Sequence, residues 1–178
     1  MDFIPTLETE RLILREHRLS DFDAYCEMWR DPDVVRFIGG SPLTRQGAWQ
    51  RLLRHAGVWH FMGFGFFAIE EKSTGHFVGE AGFQEMRRDI EPSMEGTLEA
   101  GWGLVPSAQG WGYATEVMTA LFGWADQKFP QVRRTCLIDP DNLASIRVAQ
   151  RFGFTQLARV SYQGEPSIIF ERAAPSGQ

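Results

Sequence analysis

A short glycine-rich segment between a predicted strand and a predicted helix carries the most specific chemistry in the sequence. It reads Gln-Gly-Trp-Gly-Tyr-Ala at residues 109–114 and follows the predicted strand Leu98–Val105. The first turn of a helix presents unpaired N–H groups with partial positive charge, and glycines let phosphate oxygens approach the backbone. The segment has no Lys or Arg, so backbone N–H groups are expected to hold any bound anion. The alternative is that Gly110 and Gly112 only form a tight connection.

Residue types exclude two other phosphate-binding loops and give no metal-ligand spacing. A Walker P-loop ends in Gly-Lys-Ser/Thr, whereas this segment ends in Gly-Tyr-Ala. A dinucleotide fingerprint needs a short βαβ unit at the N-terminus and an acidic residue about 20 positions later, and neither requirement fits well.

Cys26 and Cys136 are expected to be small buried apolar groups. The histidines expected to be surface or loop residues are His17, His55, His60 and His76.

Hydrophobic periodicity predicts the elements that position this segment. Their order is one strand, two helices, three strands, a helix, a strand, a helix and two strands, which is an α+β pattern with a mixed sheet. The predicted strands are Arg11–Arg15, Phe64–Glu71, His76–Phe83, Leu98–Val105, Arg133–Ile138, Phe154–Tyr162 and Ile168–Arg172.

The first two helices are predicted from a capping signal and an apolar stripe. Ser20 with Asp23 resembles a cap, and the dipeptide Asp31-Pro32 ends the first helix. The second begins near Thr44, and the residues expected to point inward are Trp49, Leu52, Leu53 and Ala56.

The last two helices follow the glycine-rich segment. One apolar stripe runs from Ala114 to Phe129. Asn142 caps the next helix, which ends at Phe152, with Gly153 in the position that tolerates left-handed backbone. Ser145 lies one helical turn after Asn142, so both polar side chains share a face that looks toward the interior or a cleft.

Composition describes one globular domain. The 178 residues are 43% hydrophobic and 23% charged, which is ordinary for such domains. We predict a single domain over residues 1–172 and a disordered tail over 173–178. A net charge of −5 argues against a nucleic-acid partner. No signal peptide or apolar run long enough for a membrane span is present, which predicts a cytoplasmic protein without a membrane partner.

Several motifs together resemble one enzyme family. The segment at 109–114 matches the pattern Q/R-x-x-G-x-G/A, the acetyl-CoA pyrophosphate loop of the GNAT superfamily of N-acetyltransferases. Leu98–Leu104 is similar to the splayed fourth strand of that family. Three further stretches resemble the ribosomal-protein N-acetyltransferase (RimJ/RimL-like) branch: Thr9–Arg15, Gly112–Glu116, and Asn142–Ser145 with Arg151–Phe154.

The resemblance implies a fold and a cofactor site. The GNAT fold has a mixed, mostly antiparallel sheet of about seven strands with about four flanking helices, splayed between strands 4 and 5. Acetyl-CoA is the implied co-substrate, without a metal. Backbone groups of Trp102 and Leu104 are expected to bind the pantetheine arm, and Asn142 to donate a hydrogen bond to it. The residues expected at the diphosphate are Gln109, Gly110, Trp111, Gly112, Tyr113, Ala114 and Thr115.

The implied reaction is direct acyl transfer from the thioester to a primary amine. The amine must lose a proton, and Glu99 is the leading candidate for the base, with Glu80 second and an ordinary strand-surface carboxylate as the alternative for Glu99. Ser145 is the candidate acid for the leaving thiolate, with a second cap bond as its alternative. No positioned Cys nucleophile is evident.

The resemblance leaves the acceptor and the assembly open. The acceptor is a protein N-terminus or a small-molecule amine, bound in relatives by the helices and loops between Trp29 and Phe64. Dimers are common in the family, so a homodimer is an expectation. The rival interpretation is a non-catalytic module that binds acyl-CoA without turnover.

Overall fold

The computed structural model describes residues 4–175, which form a mixed sheet of eight strands with five α-helices. The sheet order is β1-β2-β3-β4-β5-β6-β8-β7. The strands are β1 (Leu7–Glu8), β2 (Leu12–Arg15), β3 (Phe66–Glu71), β4 (Phe77–Gln84), β5 (Leu98–Leu104), β6 (Arg134–Ile138), β7 (Thr155–Tyr162) and β8 (Glu165–Arg172). The α+β class and the mixed sheet expected from the sequence are confirmed.

The described strand pairs include both antiparallel and parallel pairs. β1, β2, β3 and β4 are antiparallel neighbours, and β6, β8 and β7 are too. β5 and β6 are parallel, and the described register pairs Leu98 with Arg134 and Glu99 with Thr135. A parallel pair needs a long crossover, which the helix between these strands supplies.

The helices are α1 (Phe22–Arg30), α2 (Pro32–Val35), α3 (Arg45–Met62), α4 (Tyr113–Lys128) and α5 (Leu143–Arg151). The resemblance predicted about seven strands and about four helices, and the described residues form eight strands and five α-helices. Leu7 and Glu8 form a short strand because they pair with Leu14 and Ile13. The dipeptide Asp31-Pro32 ends α1 as predicted, but it also begins α2, because the Asp31 side chain accepts hydrogen bonds from the N–H groups of Asp33 and Val34.

Two local predictions about the first helices are wrong. Ser20 and Asp23 do not cap α1, whose first turn follows Asp21. The Asp21 carboxylate instead binds the Arg15 guanidinium at 2.8 Å. Along α3 the buried face is Ala48, Leu52, His55 and Trp59, whereas Trp49, Leu53 and Ala56 are exposed. Thr44 does cap α3, with its hydroxyl accepting from the Gly47 N–H.

The described chain forms two compact units. The first comprises the described residues up to Gly82 with Trp102–Leu121, and the second comprises Phe83–Gly101 with the described residues from Phe122 onward. In the first unit, α1, α2 and α3 share an apolar core that includes Tyr25, Trp29 and Leu52. In the second, Ile90, Met94 and Ile169 pack together. Both cysteines are free and buried, as predicted.

Two further sequence predictions concern membrane-spanning helices and the C-terminal tail. Among described residues, none of the helices combines the length and apolar character that crossing a bilayer requires. Ala173–Pro175 follow β8 without regular structure, and residues 176–178 of the predicted tail lie outside the described residues.

Candidate active site

The glycine-rich segment leaves a row of backbone N–H groups without protein partners. A single 3-10 turn at Pro106–Ala108 follows β5, and α4 begins at Tyr113. Gly110 and Gly112 both have φ of 80°, a left-handed conformation that favours glycine. Within the described residues, the N–H groups of residues 110–115 have no protein acceptor, and the first helical bond runs from the Glu116 N–H to the Gly112 carbonyl. The junction is therefore free to bind an anion through its backbone.

Arg11, which directly precedes β2, holds this segment in place. Its Nη1 donates to the Trp111 carbonyl at 3.0 Å, and its guanidinium carbon lies 4.5 Å from the Tyr113 ring centre. Its Nε and Nη2 contact the Glu116 Oε2 at 2.7 and 2.6 Å. The segment itself has no basic residue, so sequence reasoning missed this cation. The residue lies 100 positions away, and no local spacing indicates the contact.

Glu116, in the first turn of α4, completes the same connection. Its Oε1 accepts from the Thr9 hydroxyl at 2.5 Å and from the Arg11 N–H at 2.8 Å. Burial opposes ionisation, but these hydrogen bonds and the Arg11 charge lower the pKa of Glu116. A carboxylate at a helix N-terminus is also favoured by the helix dipole. The segment just before β2 and the first turn of α4 are thus joined by charged hydrogen bonds beside the free N–H groups.

The side chains of the segment have different surroundings. Gln109 donates from Nε2 to the Leu104 carbonyl at 3.0 Å, so it ties the segment to the end of β5. Tyr113 donates its hydroxyl hydrogen to Glu71 at 2.6 Å. The Trp111 side chain is 66% exposed and open to a ligand. Contacts of these residues with a cofactor remain predictions.

The second half of β5 is shaped by close backbone approach. A Cβ on Gly79 of β4 would lie 2.3 Å from the Gly103 carbonyl oxygen, so only glycine fits there. A Cβ on Gly103 would lie 3.0 Å from the Met28 Cε of α1. Trp102 is half-buried and Leu104 is buried. Gly79 and Gly103 therefore serve close packing.

Glu99, in the second unit, is held by Arg88 and Gln84. Its Oε1 accepts from Gln84 Nε2 at 2.9 Å and from Arg88 Nη2 at 2.6 Å. Its Oε2 accepts only from Arg88 Nε among the described residues, at 3.0 Å. A carboxylate offers about four acceptor positions, so Oε2 retains capacity for another donor. The carboxylate is buried, not on the strand surface.

Asn142 and Ser145 are brought together as the spacing predicts. The Asn142 side chain caps α5 by accepting from the Ser145 N–H at 3.1 Å. Both residues are half-buried, and Gly153 has the predicted left-handed conformation with φ of 80°. The structure describes no hydrogen bond between Glu99 and either residue. Cys136, also in this unit, has its pKa raised by burial and by the Glu99 charge, so it is a poor nucleophile.

A family comparison agrees with this geometry. The sequence profile of the acetyltransferase (GNAT) domain matches residues 11–155. The chain belongs to the GNAT acetyltransferase family. An uncharacterized N-acetyltransferase, p20, of Bacillus licheniformis is 27% identical over 150 residues, covering 84% of this chain and 82% of that protein.

Solved GNAT structures share the fold over nearly the whole chain. A GNAT-family protein from Bordetella pertussis matches with a TM-score of 0.85 and 35% identity, covering 95% of this chain and 99% of that one. RimL, a ribosomal L7/L12 α-N-protein acetyltransferase solved with coenzyme A, matches with a TM-score of 0.76 and 18% identity over 95% of this chain and 98% of that one. At that identity RimL shows the fold alone, and RimL itself is a protein of this fold that binds coenzyme A.

The GNAT chain also contains a buried charged cluster that sequence reasoning missed. Glu80 of β4 is 1% exposed and binds Arg51 Nη2 of α3 at 2.9 Å. The imidazoles of His17 and His55 lie beside the same carboxylate. The expectation of a surface or loop residue is wrong for His55, which is buried in α3, whereas His17 lies in the loop after β2 as expected. His60 and His76 are exposed as expected. A buried histidine is tolerated here because charged and hydrogen-bonding partners surround it.

Proposed function

We propose that this protein is an acetyl-CoA-dependent N-acetyltransferase of the RimJ/RimL-like branch that transfers acetyl directly to a primary amine. The observation that carries the proposal is the row of N–H groups at residues 110–115 that have no acceptor among the described residues. Arg11 holds this segment by binding the Trp111 carbonyl and Glu116. Family membership supports acetyl transfer to amines in general. The branch rests on the motifs Thr9–Arg15 and Asn142–Ser145.

The cofactor is held chiefly by backbone groups in this proposal. The N–H groups from Gly110 to Thr115 bind the diphosphate. Backbone groups of Trp102 and Leu104 bind the pantetheine arm, and the Asn142 amide donates to it. When bound, acetyl-CoA supplies the activated thioester.

The reaction requires two protons to leave the acceptor nitrogen. One proton is lost when the ammonium becomes a neutral amine, and the other leaves after the amine attacks the carbonyl. The sulfur of coenzyme A takes one proton, and solvent takes the other. We propose Glu99 as base, because Oε2 can accept a hydrogen bond from the attacking amine. Ser145 donates to the leaving thiolate, and a backbone N–H of β5 stabilises the oxyanion.

The Arg88–Glu99 contact favours one rival, a module that binds acyl-CoA without turnover. A carboxylate engaged by a guanidinium on both oxygens suits a purely structural role. The rival predicts normal cofactor binding and no dependence of any amine reaction on Glu99.

The deciding experiment measures binding and turnover on the same preparation. Calorimetry gives the Kd for acetyl-CoA, and thiol release gives turnover with peptide N-termini, amino acids, polyamines and simple amines. Thiol release that depends on an amine and yields the acetylated amine by mass spectrometry supports the enzyme. Tight binding without turnover across the panel supports the module, and absence of binding contradicts both.

A further inference from the structure

Glu99 is buried in the second unit, and one arginine donates most of its described hydrogen bonds. The Arg88 guanidinium donates from Nη2 to the Glu99 Oε1 at 2.6 Å and from Nε to Oε2 at 3.0 Å. Such a two-pronged contact gives an arginine–carboxylate pair a defined relative orientation, which the point charge of a lysine cannot reproduce. The contact therefore fixes the direction of the carboxylate and balances its charge.

The hydrogen bonds of Glu99 occupy its two oxygens unequally. Oε1 accepts from Gln84 Nε2 at 2.9 Å and from two nitrogens of Arg88, at 2.6 and 3.2 Å. Among the described residues, Oε2 accepts from Arg88 Nε alone. A carboxylate offers about four acceptor positions in all. Because the guanidinium occupies one side of the carboxylate, the position that remains is on Oε2, on the side away from Arg88.

Arg88 is itself held on the face of its guanidinium. The guanidinium carbon lies 4.6 Å from the centre of the Tyr162 ring at the end of β7, which is within the range of a cation–π contact. Only 12% of the Arg88 side chain is exposed. Burial lowers the pKa of Arg88, but its contacts with Glu99 and Tyr162 outweigh burial and raise that pKa, so Arg88 stays charged. An aromatic ring and a carboxylate thus fix the guanidinium from two directions.

The segment that carries Arg88 joins β4 to β5 over residues 85–97 and is anchored at its ends and in its middle. The Glu85 carboxylate accepts from the Arg87 N–H at 3.1 Å and from the Gly96 N–H at 2.8 Å, which ties the two ends together. Two buried apolar side chains from its middle pack against β8. These contacts place Arg88 relative to β5 without help from any ligand.

We propose that Arg88 is the positioning residue for Glu99, turning the buried carboxylate so that only Oε2 is open to the acceptor amine. The inference rests on the proposed function and deepens it. As the amine attacks the thioester carbon, an N–H bond breaks, its electron pair stays on nitrogen, and the proton joins Oε2. The proton then passes to solvent, which restores the carboxylate. Arg88 keeps all of its hydrogens and acts through Glu99 alone.

A positioning role and a merely structural role predict different results when both partners are changed. If Arg88 acts only through Glu99, its loss has no further effect on turnover once the carboxylate is gone. If Arg88 instead supports the unit in general, its loss lowers turnover by the same factor with or without the carboxylate. Groups that act as one unit give such non-additive effects on rate.

The test is a double-mutant cycle on the full chain, assayed with the amine that gives the highest thiol release. We expect Arg88→Gln to lower kcat about 100-fold, as loss of positioned proton transfer does, while the Kd for acetyl-CoA stays within about twofold. In the Glu99→Gln background, the same change should alter kcat less than about threefold. Arg88→Lys restores the charge without the fork and should recover only part of the loss. Arg87→Gln, at the exposed neighbour in the same segment, is the matched control.

Tyr162 offers a second pair of variants in which Arg88 and Glu99 both remain. Tyr162→Phe keeps the ring face and should retain kcat within about twofold, whereas Tyr162→Leu removes it and should lower kcat about 3- to 10-fold. Urea unfolding at pH 7 shows whether each variant is folded in the assay. If Arg88→Gln is unfolded, the Tyr162 variants decide, and equal kcat in both overturns the inference.

The outcomes separate this inference from the proposed function. A large loss of kcat on removal of Arg88 only where Glu99 is present supports the inference. If the wild type acetylates amines and Arg88→Gln keeps kcat within twofold, or lowers it equally in both backgrounds, the inference is overturned while the proposed function stands. If the wild type acetylates none of the amines, the proposed function fails and the inference fails with it.

Discussion

Replacing Arg11 by Gln tests whether its contacts with Trp111 and Glu116 strengthen acetyl-CoA binding at the glycine-rich segment, residues 109–114. The substitution removes two contacts with Glu116 and one with the Trp111 carbonyl. Charged hydrogen bonds contribute about 1.5–3 kcal/mol when buried. The Arg11 side chain is 42% exposed, so solvent screening reduces the value of the ion pair to about 1 kcal/mol.

Removing these Arg11 contacts should weaken mainly the affinity for acetyl-CoA. A looser segment must be ordered on binding, at about 1 kcal/mol, and the unpaired Glu116 carboxylate would repel the diphosphate. The expected total of about 1–2 kcal/mol weakens the Kd for acetyl-CoA about 5- to 30-fold. Adding Glu116→Gln removes the repelling charge and should recover several-fold of that loss.

Calorimetry with acetyl-CoA measures all three proteins at one ionic strength. Arg45→Gln is the matched control, because Arg45 forms an exposed ion pair with Asp23 at 3.0 Å, away from the segment. Its Kd should equal that of the wild type. The reasoning is refuted if Arg11→Gln binds acetyl-CoA within twofold of the wild type, or if the double variant binds as weakly as the single one.

Three further predictions concern the base, the buried pair and the glycine turn. Glu99→Gln should lower kcat/KM for the amine by about 100-fold or more with the Kd for acetyl-CoA unchanged; equal turnover would remove Glu99 as base. Glu80→Gln leaves Arg51 unpaired and should cost roughly 3–5 kcal/mol in urea unfolding at pH 7. Folding lowers the pKa of Glu80, so the carboxylate's contribution to the free energy of unfolding is present above the unfolded pKa of about 4.3 and is lost as pH falls through the folded pKa. The stability difference between wild type and variant should therefore shrink below about pH 4. A difference that stays constant with pH would contradict this. Gly112→Ala forces a left-handed backbone on alanine and should weaken acetyl-CoA binding, whereas Gly123→Ala, in α4 with open space around its Cβ, should not.

Sequence patterns predicted what depends on nearby residues. The glycine pair, the Asn142 cap and the left-handed Gly153 are local features, and each lies where spacing placed it. The strands agree with the predicted runs to within a few residues, because alternation and turn signals are local as well.

Long-range pairing explains what the sequence did not reveal. Arg11 reaches a segment 100 residues away, and Glu80 meets His17 and His55 from two other elements. The inward face of α3 was misjudged because His55 looks polar in sequence. It is buried beside Glu80, which rotates the buried stripe away from Leu53. A polar residue in the core is predictable only once its partner is known.

The two candidate carboxylates differ in a way that assigns them different work. Glu99 has both oxygens on Arg88, with Oε2 less occupied, so it can accept a hydrogen bond directly from an amine. Glu80 is fully enclosed, with Arg51 on one oxygen and the imidazoles of His17 and His55 beside the other. Acetylation of an ammonium requires two proton losses from one nitrogen, at different stages and with different destinations. A carboxylate with a less occupied oxygen suits the proton loss that accompanies bond formation, whereas an enclosed carboxylate paired with Arg51 suits a structural role. Variants of the two carboxylates should therefore differ in kind: Glu99→Gln should lower kcat for the amine, whereas Glu80→Gln should chiefly lower the free energy of unfolding.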